Sequence, residues 1–148
     1  MYRSTKTFEH FASAAFRQWR AEHSHCHYIH GYGLSVRIEF QATELDENGW
    51  VVDFGALKPL KKEMEDIFDH KLVVAADDPK MEFFEEMNEL GVIQLVVLPR
   101  VGCEAFAKFI YGMADAYLRQ MGHHPRVSVA SVEVMEHPGN SAIYWEEI

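Results

Sequence analysis

The chain is short of cysteine, short of basic residues and without any long apolar run, and each shortage removes a class of protein. Only two cysteines, Cys26 and Cys103, occur in 148 residues, too few to build a disulfide-stapled scaffold. Lys and Arg number 14 against 23 Asp and Glu, a formal net charge of -9. A nucleic-acid binder needs a basic face to neutralise phosphates, so no nucleic-acid partner is expected. The same charge disfavours adsorption to an anionic membrane. No apolar stretch approaches the roughly 20 residues that span a bilayer, and no basic-then-apolar leader precedes a cleavage site. These absences predict a cytoplasmic protein with no membrane contact. Internal repeats and low-complexity tracts are also missing.

What is present points to an ordinary packed domain with one oddity. Hydrophobic residues make up 48% and charged residues 25%, the balance of a globular chain. A length near 150 predicts one domain, spanning 1–148, with enough surface to bury a real core. The oddity is histidine. There are nine, and four of them, His23, His25, His27 and His30, crowd into one short stretch.

Hydrophobic periodicity orders the chain. Thr5 to Phe16 reads as a strand. Leu34, Val36, Ile38 and Phe40 alternate with Ser35, Arg37 and Glu39, the period of a strand with one buried face. Asp46-Glu47-Asn48-Gly49 is a turn, and Trp50-Val51-Val52 is predicted to return as a hairpin partner. Asp53 suits a helix N-cap. Leu57, Leu60, Met64 and Ile67 then follow at helical spacing, and this helix ends at Asp69-His70. The acidic segment Asp77 to Leu90 is predicted as a short helix with Pro79 near its start and Gly91 after its end. Val92 to Leu98 fits a short buried strand. A second long helix begins near Gly102-Cys103-Glu104, carries Phe106, Phe109, Ile110, Met113, Tyr117 and Met121 as its stripe, and stops at Gly122. Val127 to Glu136 and Ala142 to Trp145 are strands around a Pro138-Gly139-Asn140 turn. Hairpins dominate, so an α+β fold with an antiparallel sheet is expected.

Four features carry possible chemistry. In the cluster around His23 to Tyr32, imidazoles are good zinc ligands, and strand alternation would let His25 with His27, or His30 with Tyr32, converge. The same stretch reads equally well as a solvated polar loop. Cys26 sits inside the cluster, where a neighbouring positive charge would favour its thiolate as a base. Asp69-His70 is a potential proton-transfer pair, in which the carboxylate fixes the imidazole tautomer. Glu136, at a strand end before a Pro-Gly turn, can accept two parallel N–H bonds from an amidine-like edge. Cys103, near a helix start among apolar residues, reads as a small packed side chain.

In chain order these segments are Phe11 to Phe16 (FASAAF), Cys26-His27-Tyr28-Ile29-His30-Gly31-Tyr32, Gly49 to Lys58 (GWVVDFGALK), Asp69-His70, Gly102-Cys103-Glu104 and Val134-Met135-Glu136. Together they resemble the 6-pyruvoyl-tetrahydropterin synthase and 6-carboxytetrahydropterin synthase family over nearly the whole chain. The resemblance implies a T-fold, an antiparallel sheet with helices packed on one face, assembled as a homo-oligomer (a hexamer built from trimers) with sites at subunit interfaces. It implies a small-molecule pterin substrate, 7,8-dihydroneopterin triphosphate, and a lyase reaction. The Cys26 spacing resembles the bacterial branch, which makes 6-carboxytetrahydropterin for queuosine and 7-deazaguanine biosynthesis. By resemblance Glu136 anchors the pterin ring, Glu104 contacts substrate, Cys26 is the general base, and Asp69 with His70 forms the proton relay. The implied cofactor is zinc, which would polarise the side-chain oxygens.

The three zinc histidines of that family fall here on Phe16, His30 and Tyr32, so only His30 matches. Two readings follow. Spare histidines among His23, His25 and His27 rebuild a shifted site with His30, chiefly through His25 and His27, and with Cys26 as a candidate ligand that would then be lost to acid-base work; or the metal is gone and Cys26, Asp69-His70 and Glu136 remain in a pterin pocket of altered chemistry. Gly102 and Cys103 also replace the Thr or Ser usual before the helix-opening Glu. Arg17 and Arg20 are available to meet a triphosphate or another anion.

Overall fold

The computed structural model describes residues 1–147. Its nine main elements are β1 (Tyr2–Phe16), β2 (His30–Ala42), α1 (Lys58–Phe68), β3 (Lys71–Ala75), α2 (Met81–Glu89), β4 (Leu95–Leu98), α3 (Cys103–Gln120), β5 (Val127–His137) and β6 (Asn140–Tyr144). The strands form one sheet in the order β4-β3-β1-β2-β5-β6.

The long β1–β2 hairpin sets the frame. It runs antiparallel from Tyr2 opposite Ala42 to Phe16 opposite His30, with a register shift between Phe8 and Ala12. His10, at φ +46°, lies in that irregularity, which bends the strand as a bulge does. On β2 the alternation behaves as expected: Leu34, Val36, Ile38 and Phe40 are fully buried, and β5 continues the sheet antiparallel beside them.

The Asp46–Gly49 turn forms, but Trp50-Val51-Val52 is not a strand. Arg126 donates to the carbonyls of Glu44 (3.0 Å) and Val51 (3.1 Å), so a guanidinium satisfies groups that a ladder would otherwise pair. Val51 and Val52 still bury their side chains, which explains their apolar character. Asp53 caps the next segment by accepting from Gly55 N at 2.9 Å. A short 3-10 turn, Phe54–Leu57, then leads into α1.

The strand β3 has no counterpart among the predicted elements. Its residues Leu72, Val73, Val74 and Ala75 are all buried, so the segment shows a continuous apolar run with no period-2 signal. It pairs parallel with β1 on one side and with β4 on the other. The sheet is therefore antiparallel across β1, β2, β5 and β6, with a parallel β3-α2-β4 unit added at one edge.

Helices α1 and α3 cover one face of the sheet, packed on Phe11, Ala14, Phe16, Leu34, Val36 and their neighbours. Phe106 of α3 sits at the centre, with edge-on contacts to Phe16 and Phe68, both at 5.1 Å between ring centroids. Helix α2 lies on the other face, where Phe84 packs with Leu72, Val74 and Ala15. The expected layering on one face thus holds for α1 and α3, while the crossover helix takes the opposite side.

Candidate active site

The connection from β1 to β2 determines where the histidines point. Residues His25–His27 form a 3-10 turn capped by the Ser24 hydroxyl, which accepts from Cys26 N at 3.1 Å. The turn is tied back by Gln18 N donating to Cys26 O at 2.8 Å. Because this segment is a turn and not a strand, His25 and His27 do not share a face. His25 is exposed, and the His27 ring nitrogen Nδ1 engages the carbonyl of Trp19 at 2.8 Å.

His30 and Tyr32, on β2 itself, do share a face, as strand alternation predicts. Phe16 joins them from across the hairpin. The three rings form a closed set: Phe16–His30 at 5.2 Å, His30–Tyr32 at 5.2 Å and Phe16–Tyr32 at 5.9 Å between centroids. These are aromatic packing distances, and Phe16 is 1% exposed. The His30 Nδ1 is engaged by the carbonyl of Tyr28 at 2.7 Å.

This arrangement does not fit the zinc that the resemblance implies. Phe16 has no donor atom. Burial, and after it the charge of Glu136, hold the Tyr32 phenol above its ordinary value, so it stays protonated and a poor ligand. Among the described residues no three His, Cys, Asp or Glu side chains are grouped to hold a metal ion. The alternative set His25, His27 and His30 is likewise not assembled, because the 3-10 turn and the two backbone contacts direct the rings apart.

Glu136 emerges at the end of β5 beside Tyr32 and the start of α3. Its carboxylate is close enough to act electrostatically on both the Tyr32 hydroxyl and the Cys103 thiol. Burial first, and then this carboxylate, pushes the Cys103 thiol up to about 12. Cys103 is therefore a packed, protonated thiol, as its surroundings suggested. Its place next to Glu136, like that of Tyr32, was not read from the sequence; the facing registers of β2 and β5 would be needed to find it. Glu104 lies exposed in the first turn of α3. Just before it, Gly102 adopts φ +119°, and a Cβ there would come 2.5 Å from Gln18 Nε2. Glycine is favoured here by that φ, which side-chain-bearing residues rarely adopt, while the Gln18 amide is a flexible tip that could move aside. Gln18 also lines a cavity of about 330 Å³ with Trp19, Arg20, Asp77, Arg100 and Val101.

The arginines proposed for an anion are already neutralised. Arg17 makes a two-pronged ion pair with Asp78, Nε to Oδ2 at 2.8 Å and a terminal nitrogen to Oδ1 at 2.7 Å. Arg20 pairs with Asp77 at 3.0 Å and stacks on the Trp19 ring at 4.1 Å. The acidic segment after β3 thus pins the histidine-bearing loop.

Asp69 and His70 form their pair, with His70 Nδ1 3.0 Å from Asp69 Oδ2. Ser13 N donates to Asp69 Oδ1 at 2.8 Å, and His70 N donates to Ser13 O at 2.7 Å. The Ser13 bond, and more weakly His70, holds the Asp69 carboxyl below its usual range against the opposing effect of desolvation. His70 is held at φ +59°, with its side chain 75% exposed. It borders a groove of about 440 Å³ with Ser13, Ala15, Ile29 and Gly31. Those residues alternate with Ala14, Phe16, His30 and Tyr32, so within one chain the pair lies on the opposite sheet face from Glu136.

A hairpin-framed six-strand sheet with α1 and α3 on one face and a carboxylate at one strand end defines a T-fold. A 6-pyruvoyl tetrahydropterin synthase from Plasmodium falciparum superposes with a TM-score of 0.70 at 16% identity, covering 100% of both chains. An uncharacterized protein from Wolinella succinogenes gives 0.83 at 22% identity, covering 99% of this chain and 98% of that one. At the level of sequence, the family model for 6-pyruvoyl tetrahydropterin synthase matches residues 5–147, and the chain belongs to that family. A 6-carboxy-5,6,7,8-tetrahydropterin synthase from Rickettsia conorii is 39% identical over 57 residues, 38% of this chain and 41% of that protein. The alignment therefore spans about two fifths of that relative's length. The enzyme of the same name from Aquifex aeolicus is 27% identical over 126 residues, 82% of this chain and 76% of its own. No described helix is long and apolar enough to cross a membrane.

Proposed function

We propose that this chain is a dihydropterin-binding member of its family that works without zinc. The observation that carries the reading is the pairing of an anchoring carboxylate with a blocked metal position: Glu136 stands beside Tyr32 and Cys103, while Phe16, His30 and Tyr32 pack ring against ring. A carboxylate in that place accepts the 2-amino and N3 hydrogens of a pterin as a two-pronged, charge-assisted pair. Glu104, at the mouth of the same region, is a second substrate contact. Any chemistry is then limited to proton transfer by Cys26 and by the Asp69-His70 pair. Because that pair faces away from Glu136 within one subunit, a homo-oligomer, a hexamer by resemblance, would bring it to a neighbouring site. The whole of 1–148 acts as one domain in this reading.

A second reading keeps the full lyase reaction. It is favoured by the presence together of Cys26, Asp69-His70 and Glu136, and by the 6-carboxytetrahydropterin synthases among the relatives. Its substrate would be 7,8-dihydroneopterin triphosphate and its pathway that of queuosine. One experiment separates the two: titration and turnover of 7,8-dihydroneopterin triphosphate with added zinc and with chelator. The first reading expects micromolar binding that ignores chelator and is abolished by Glu136→Gln, with no zinc-stimulated product. Zinc-stimulated release of triphosphate and acetaldehyde, lost in Cys26→Ala and His70→Ala, would establish the second. Absence of any pterin binding would reject both.

A further inference from the structure

We propose that Asp77 and Asp78 are positioning residues for Cys26: through Arg17, Trp19 and Arg20 the two carboxylates hold the β1–β2 loop so that the Cys26 thiol meets the bound dihydropterin. This rests on the dihydropterin reading above and adds the residues that set where its proton-transfer thiol stands.

The argument is one of connection. The loop shapes itself into turns, with Ala21 N donating to Gln18 O at 3.0 Å, Ser24 N to Ala21 O at 3.0 Å and Cys26 N to the Ser24 hydroxyl at 3.1 Å. Bonds of that kind fix a shape without fastening it to the sheet. The fastening comes from the β3–α2 connection. The Asp78 carboxylate, itself held by Lys80 N at 2.9 Å, takes both prongs of Arg17. The next residue, Gln18, donates its backbone N–H to Cys26 O at 2.8 Å and its side-chain amide to Val101 O at 3.4 Å. Asp77 accepts from Trp19 Nε1 at 3.2 Å and from Arg20 at 3.0 Å. The Trp19 carbonyl in turn engages His27 Nδ1 at 2.8 Å. Two adjacent carboxylates thus reach two adjacent loop residues, the backbone of Cys26 and the ring of His27. The planar fork of Arg17 adds orientation to charge. A base works only within hydrogen-bond reach of the proton it takes, so a displaced loop would leave the thiol present and idle.

The test is the rate at which iodoacetamide alkylates Cys26 in native protein, without and with 6-methyl-7,8-dihydropterin at about ten times its Kd. A separate fluorescence titration supplies that Kd for each variant. A ligand that covers the thiol is expected to slow wild-type alkylation about tenfold by mass action. Asp77→Asn is a change at an exposed side chain that leaves the buried Arg17–Asp78 pair in place. It is expected to bind the probe within about twofold of wild type and to cut the protection to about threefold or less. Arg17→Lys keeps the charge and loses the fork, and the same loss of protection is required of it. A role in stability alone would lower the unfolding midpoint and leave protection at the wild-type value. Unchanged protection in both variants, or none in wild-type protein that binds the probe, would overturn the assignment and leave the dihydropterin reading intact. Failure of wild-type protein to bind the probe would overturn that reading and this one with it.

Discussion

Phe16 faces His30 across the β1–β2 ladder, with ring centroids 5.2 Å apart. The register that brings these two side chains together is the one that would bring two imidazoles together if both positions carried histidine. The scaffold for convergent ligands is thus in place, and its donors are not. Phenylalanine here contributes packing, to His30 on one side and to Phe106 at 5.1 Å on the other.

The packing itself is testable at Phe106, which is fully buried between Phe16 and Phe68. Phe106→Ala removes a ring whose neighbours are fixed by strands on one side and a helix on the other, so the cavity cannot collapse fully. Denaturant unfolding is expected to show a loss of about 3–5 kcal/mol. A loss below about 1 kcal/mol would mean the cluster is not closed as described.

The Arg17–Asp78 pair gives a prediction with a pH signature. Asp78 has 1% and Arg17 14% of its side chain exposed, so removing one partner strands a buried charge. Asp78→Ala is expected to cost about 3 kcal/mol. Burial opposes ionisation of Asp78, but the hydrogen bonds from Arg17 and from Lys80 N outweigh it, and its carboxyl sits below the usual range. A depressed carboxyl contributes stability above its unfolded value, about 3.9, and loses it as pH falls through the folded one. Wild-type stability should therefore drop below about pH 4, and the curve for Asp78→Asn should be flatter there.

The two cysteines should differ in reactivity. Cys103 is buried with its thiol pushed up to about 12, so almost no thiolate exists near neutrality. Cys26 is partly exposed on the loop turn. Alkylation of the native protein near pH 8 is expected to label Cys26 and spare Cys103, with both labelled after denaturation. Rapid native labelling of Cys103 would contradict its place beneath Glu136.

How much of this was legible in the sequence depends on the length over which each pattern repeats. Leu34 to Phe40 alternate cleanly and form β2; the stripe from Phe106 to Tyr117 is helical as expected. Leu72 to Ala75 carry no alternation because both faces are covered, so β3 and its parallel pairing left no trace in the pattern. The apolar Trp50-Val51-Val52 suggested a strand, yet Arg126 takes Val51's carbonyl. At the site, the loss of two ligand positions was visible from Phe16 and Tyr32 alone. What fills the space was not, since ring contacts across β1 and β2 depend on register. Nor could the fate of His25 and His27 be read, because a three-residue turn decides where they point.

The metal content of the protein tests the central claim most directly. Untagged protein, purified and dialysed against micromolar zinc, should retain far less than one zinc per chain. The Phe16→His/Tyr32→His variant supplies imidazoles at the positions beside His30 and should hold about one zinc per chain. About one zinc per chain in wild-type protein, lost on replacing His25 and His27, would contradict the account.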